Sequence, residues 1–147
     1  MMAKQKLNIG DLVQIDIGER NLAFGRVLGQ SQIAFYGIST RVGEPIDVEK
    51  VIGAPIVFVV AVMDSAVKSG RWQIVSHRPL EPALIESRDY FIRDRFTEKY
   101  SIYRSSDGAI RSASPEECRT LERAAVWDAE HVEDRLRDHF ANRPSRW

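Results

Sequence analysis

The chain has one cysteine, no long apolar run and no net charge, and each shortage removes a class of protein. A lone Cys118 cannot form an internal disulfide, and it is too little for a thiolate zinc site, which draws on two to four cysteines. The longest apolar stretch, residues 55–63, falls far short of the roughly 20 residues that cross a bilayer as a helix. The opening MMAKQKLNIG holds two lysines with no apolar run behind them, so it reads as neither a signal peptide nor an anchor, and Met2 is an alternative start. Twenty-one Lys and Arg balance twenty-one Asp and Glu, which leaves no global field to draw the chain to a phosphate backbone or a charged partner. These shortages point to a cytoplasmic protein whose electrostatic sites are local.

Cofactor signatures are missing too. There is no phosphate loop, dinucleotide fingerprint or Gly-x-Ser-x-Gly elbow. The three histidines are His77, His131 and His139. His131 and His139, eight apart on a predicted helix, sit about 80° apart around the axis and roughly 12 Å apart along it, too far to share one ion. Cys118 falls in the first turn of a predicted helix among Glu116 and Glu117, whose charges oppose a thiolate. No catalytic residue, metal site or cofactor is assigned.

What is present is a pattern of strands followed by helices. In GDLVQIDIGERNLAFGRVLG (residues 10–29), Val13, Ile15 and Ile17 alternate with polar residues, and Leu22, Phe24 and Leu28 do so after a polar turn; this predicts a hairpin. Residues 32–38 predict a third strand, and STRVGEPID breaks the sheet before Asp47 caps a short helical turn closed by Gly53. PIVFVVAVM (55–63) is apolar on both faces, which predicts the centre of the sheet. RWQIVSH (71–77) predicts its hairpin partner, with Trp72 and Ile74 on one face and Gln73, Val75 and His77 on the other. Residues 90–93, 100–104 and 109–112 predict short strands, the last two folded about Asp107-Gly108. Ser114, Pro115 and Glu117 form a capping-box sequence, so a helix is expected there. Asp128 caps a last helix in which Val132, Leu136 and Phe140 recur every four residues. The expectation is one α+β domain over residues 1–147: a curved, mainly antiparallel β-sheet or partial barrel (8–112) followed by two C-terminal α-helices (114–142).

Two charged segments are candidate interfaces. RDYFIRDRF (88–96) interleaves Arg88, Arg93 and Arg95 with Tyr90, Phe91 and Phe96, the mixture that stacks bases and grips phosphates, although Asp89 and Asp94 lie among them. EHVEDRLRDH (130–139) spaces Glu133 to pair with Arg137 and sets Asp134 and Asp138 as an acidic ladder near Trp127 and Trp147.

Four stretches together resemble the bacterial family of immunity proteins numbered twenty-six: GDLVQIDIGERNLAFGRVLG (10–29), IAFYGI (33–38), IVFVVAVMDSA (56–66) and GRWQIVSHRPL (70–80). The tail AVWDAEHVEDRLRDHF (125–140) is similar to a C-terminal extension of that family. The resemblance implies an antidote that binds and blocks a cognate toxin, often a nuclease, made beside it. It carries no catalytic motif. On this reading the partner-binding candidates are Tyr36, Asp64, Trp72, Asp134 and Asp138, the partner is a protein toxin, and neither membrane nor nucleic acid is expected. Two alternatives accompany it. One is a phosphotriesterase-like hydrolase, a small family with which these proteins are sometimes grouped; the other is a nucleic-acid-binding β-domain using Arg88, Arg93 and Arg95.

Overall fold

The computed structural model describes residues 3–147, so the reading of Met2 as a start lies outside the described residues. They group into two compact units, one running through Leu80 and resuming at Val126–Trp147, the other being Glu81–Ala125. The first contains β1 (Asp11–Gly18), β2 (Asn21–Val27), β3 (Gln32–Tyr36), β4 (Thr40–Arg41), α1 (Val48–Ile52), β5 (Ile56–Val62), α2 (Ser65–Lys68) and β6 (Gln73–His77). The second contains α3 (Pro82–Ile85), β7 (Asp89–Arg93), β8 (Tyr100–Arg104), β9 (Ile110–Ala113), α4 (Pro115–Cys118) and β10 (Glu122–Arg123). The chain then returns to the first unit with β11 (Val126–Trp127) and α5 (Ala129–Phe140). The class is α+β with open, mostly antiparallel sheets rather than a barrel closed on itself.

The larger sheet runs β11-β5-β3-β2-β1-β6, with β4 added on β2. Period two divides its side chains between two cores. Val13, Ile15, Ile17, Ala23, Val27, Ile33 and Phe35 share one face with Phe58, Val60, Trp72, Val132 and Leu136, so α5 covers that side. Leu12, Leu22, Phe24 and Tyr36 share the other with Val51 of α1. Asp47 caps α1 by accepting from the Lys50 N–H, and Gly53 closes it, as the sequence predicts.

Two expectations about order are corrected. The apolar run β5 is not central; it lies next to the edge, flanked by the two-residue β11. The middle strands are β2 and β3, whose composition conceals their burial because Gly25, Arg26 and Ala34 dilute the apolar pattern. Nor does β6 pair with β5. Helix α2 and the link to Trp72 carry the chain to the far edge, where β6 pairs with β1 through Val13↔Ile74 and Leu12↔Ser76. A tight hairpin needs a loop of a few residues, and a helical turn takes its place here. The predicted alternation in β6 does hold, because Trp72 and Ile74 join one core and Val75 the other.

The link is held by the N-terminal segment. The Gln5 side-chain amide donates to the Val67 and Trp72 carbonyls at 2.8 Å each, and its oxygen accepts from the Ile74 N–H at 2.9 Å. Gly70 makes room for this segment: at φ +85° a Cβ would lie 2.1 Å from the Ala3 carbonyl oxygen.

The largest polar group in the interior is Arg26, with no exposed surface. Its Nε donates to the Gly10 carbonyl at 2.8 Å, Nη1 to the Tyr36 hydroxyl at 3.1 Å, and Nη2 to the Arg78 and Pro79 carbonyls at 2.8 Å each. One side chain thus joins β2 to β3, to the entry of β1 and to the segment after β6. Gly10 is needed at that junction, since at φ +97° a Cβ would meet the Arg78 carbonyl oxygen at 2.5 Å.

In the smaller unit β8 pairs with β9 as expected, and β7 also pairs with β8. The capping box at Ser114 and Glu117 forms, but α4 ends after one turn at Cys118. So short a helix depends on tertiary packing, and Cys118 is its one buried residue. The following residues pair instead, Glu122 and Arg123 with β7, Val126 and Trp127 with β5, both in parallel. The expected pair of C-terminal helices is therefore one capped turn and one 12-residue helix.

Replacing Arg26 by Met keeps the aliphatic stem but strands these acceptors, at a cost of about 3 kcal/mol from unmade hydrogen bonds. Urea unfolding of Arg26→Met is expected to show that loss, with the midpoint shifted and the slope retained.

Candidate partner-binding surface

Helix α5 organises the most varied surface of the larger unit. Its stripe of Val132, Leu136 and Phe140 docks on the sheet as predicted, and the first two are fully buried. One flank is locked by Glu133. Its carboxylate accepts from Arg71 Nε at 2.8 Å and Nη2 at 2.7 Å, and from the Trp72 indole at 2.9 Å. The bidentate bond raises the Arg71 pKa, its burial opposing that shift. The sequence spacing pairs Glu133 with Arg137. The structure corrects this, because Arg71 reaches Glu133 from the α2–β6 link while Arg137 turns to Asp134 and to the Ile17 carbonyl at 3.1 Å.

The outer face is covered by the residues after the helix. Arg143 and Arg146 approach Asp138 at 3.2 and 3.9 Å, leaving its side chain 4% exposed. Asp134 binds Arg137 and accepts from the Trp147 indole at 3.2 Å, while the Trp147 ring stacks on His131 at 3.8 Å. The Arg137 hydrogen bond, aided by the Trp147 indole, holds the Asp134 carboxyl below its usual range. The acidic ladder is thus largely matched by arginines of the same chain.

The other sequence candidates are dispersed. Tyr36 and Trp72 are 1% and 0% exposed on opposite faces of the sheet, so both act within the fold and neither side chain meets the surface. Asp64 stands at the start of α2, partly exposed, 3.8 Å from Lys68. His77 is half exposed, its Nδ1 2.9 Å from Asp11 Oδ1, and Asp11 also accepts from the Asn8 N–H. His139 lies edge-on to Phe140. Among the described residues, no three His, Cys, Asp or Glu side chains gather where they could hold a metal ion. In the smaller unit Arg93 reaches Glu98 and the Tyr100 ring, Arg88 donates to the Glu86 and Ala83 carbonyls, and Phe96 is almost fully exposed. Burial pushes the Tyr90 hydroxyl up to about 12.

A site the sequence reading missed lies on the other flank of α5. Val57, Phe58, Arg135, His139, Arg143 and Ser145 line an open groove of about 250 Å³. The Arg135 guanidinium lies 3.8 Å over the Phe58 ring and 5.3 Å from the Trp127 ring. The signal was present as Arg135 and His139 four apart within the helix, with Arg143 just beyond its end.

The profile of the family described as Immunity protein 26 matches residues 8–102, more than half of the chain. The chain belongs to the Immunity protein 26 family. Its matched segment covers the larger sheet from β1 to β6 together with β7 and most of β8, so the family pattern spans the Arg26 junction and the Trp72 link. Helix α5 lies beyond it. No curated protein and no solved structure matches the chain. Immunity proteins are generally not enzymes, and the family implies a cognate toxin as partner.

Two outcomes follow from the α5 contacts. Glu133→Ala is expected to cost about 2 kcal/mol, since it leaves a buried indole N–H and a half-screened guanidinium without their acceptor. Glu133→Gln, which still accepts from Trp72, costs less; urea titration of the two variants compares them. The lowered Asp134 pKa means its carboxylate supports the folded tail fully above the ordinary carboxylate value. That support is lost as pH falls below about 4 and through the lower folded value. The fluorescence difference between wild type and Trp147→Phe is therefore expected to change in that acid window and to stay constant above it.

Proposed function

We propose that this chain is a cytoplasmic antidote that neutralises one cognate bacterial toxin by binding it directly. The family match carries the reading. Three further features support it. No helix among the described residues is long and apolar enough to cross a membrane. Most polar side chains of α5 are engaged in fixed pairs, so the surface it offers is held in one arrangement before a partner arrives, which lowers the ordering cost of association. The zero net charge makes recognition local, through partly exposed polar groups such as Asp64 and Asp134 and the groove beside α5, rather than through a global field. A nuclease is one candidate toxin. Such enzymes are often basic and captured by acidic inhibitors, and the neutral balance here leaves other toxin chemistries equally open.

The test is a titration of the purified chain with a catalytically inactivated form of the toxin encoded beside its gene. The expected result is a one-to-one complex with Kd on the order of 1 nM, and loss of toxin activity when the chain is added to the active form. Failure to form a complex at micromolar concentrations refutes the proposal.

A further inference from the structure

Phe96, in the loop that joins β7 to β8, is 93% exposed, more than any other large apolar side chain among the described residues. The other aromatics of RDYFIRDRF are used within the fold. Tyr90 is buried, and the Phe91 ring lies 6.2 Å from that of Tyr100. A ring left in water forgoes the free energy that burial supplies, so Phe96 adds little to the stability of its own chain.

The loop nevertheless fixes where the ring stands. Asp94 Oδ1 accepts from the Phe96 N–H at 2.8 Å and from the Thr97 N–H at 2.9 Å. The Asp94 N–H donates to the Lys99 carbonyl at 2.9 Å, and the Glu98 N–H donates to the Asp94 carbonyl at 2.8 Å, with Glu98 in the left-handed region at φ +59°. Arg93 donates to Glu98 at 3.1 Å across the base of the loop. The two acids of the loop are therefore engaged, Asp94 by backbone donors and Glu98 by Arg93. Its cations are not. Among the described residues no acid or hydrogen-bond acceptor meets the Arg95 or Lys99 side chain, and both are exposed. The loop thus presents one bare ring, on an ordered backbone, between two unmatched positive charges.

We propose that Phe96 is an anchor that enters an apolar pocket of the bound toxin, with carboxylates on the rim of that pocket facing Arg95 and Lys99. The proposal rests on the antidote reading above and names the chemistry that the partner presents. Interface anchors are aromatic side chains that fill a pocket and are ringed by polar contacts, and an ordered loop leaves little backbone freedom to be lost on binding. The loop also lies within residues 8–102, the segment that matches the family. A protein pocket suits it better than a nucleic acid, because single-strand binders set successive rings along a basic groove, whereas one ring is bare here and the chain has no net positive charge. A bilayer is a poorer fit too, since surface anchors bury a broad apolar face and the residues on either side of Phe96 are polar.

The experiment titrates full-length wild type, Phe96→Ala, Phe96→Leu, the double variant Arg95→Ala with Lys99→Ala, and Ile9→Ala with the inactivated toxin, at low and raised ionic strength. Ile9→Ala removes an exposed apolar side chain elsewhere. The expected result is a Kd raised about tenfold or more by Phe96→Ala, less by Phe96→Leu, and unchanged by Ile9→Ala, with the melting temperature of Phe96→Ala at the wild-type value. The double variant is expected to raise Kd at low ionic strength and to approach wild type as salt screens the pairs. Equal binding by wild type and Phe96→Ala overturns the anchor while leaving the antidote reading intact. An unchanged Kd for the double variant at low salt overturns the acidic rim. No complex with wild type overturns both the anchor and the antidote reading. Binding of wild type to a single-stranded oligonucleotide or to phosphatidylserine vesicles, lost in Phe96→Ala, assigns the ring to a base or a lipid and overturns the proposal.

Discussion

Arg26 stands on a middle strand of the larger sheet with its guanidinium out of water, a position that costs several kcal/mol unless its donors find acceptors. The acceptors are supplied by parts of the chain far apart in sequence: the Gly10 carbonyl before β1, the Tyr36 hydroxyl at the end of β3, and the Arg78 and Pro79 carbonyls after β6. An arginine there is a condition on the fold as well as a contribution to it. The ends of β1, β3 and β6 must converge on one point, and Gly10 must lack a side chain for them to do so. With that junction set, the two faces of the sheet are assigned, and the helices have defined surfaces to cover.

A second junction on the opposite face performs the same task for α5. Glu133 receives Arg71 and the Trp72 indole, joining the helix to the link that carries the chain across the sheet. Trp72 would otherwise bury an indole donor with no acceptor, and Glu133 a charge with no partner. Together they set the rotation of the helix about its axis. That rotation leaves Asp134 and Asp138 to the arginines of the helix and its tail and brings Arg135 and His139 to the edge of β5.

This sorting matters for an immunity protein whose charges cancel overall. On the proposed reading, affinity for one toxin comes from particular groups held in place, because no long-range field gathers the partner. Along the chain the helix run reads as an acidic ladder with arginines between. In space its acids are mostly satisfied by internal arginines, and the groove beside Phe58 keeps a basic lining over an apolar floor.

Local chemistry made much of the fold legible. Alternation identified the β1–β2 hairpin, the Asp47 and Ser114 caps formed as their spacing requires, and the stripe of Val132, Leu136 and Phe140 met the sheet. The family was also legible, because its pattern lies in contiguous strand segments. Periods and caps involve residues a few positions apart, which any chain carries in its own sequence. Strand order, the far-edge pairing of β6, the interior place of Tyr36 and Trp72, and the groove around Arg135 depend instead on residues brought together from distant segments. An arginine within a strand reads as an exposed residue until Gly10, Arg78 and Pro79 arrive, and two acids four apart read as a free face until Arg143 and Trp147 fold back over them. The sequence alone determined the main strands, the last helix and the family; tertiary structure decided which charges lie against one another, because pairing is a property of distances that alternation does not encode.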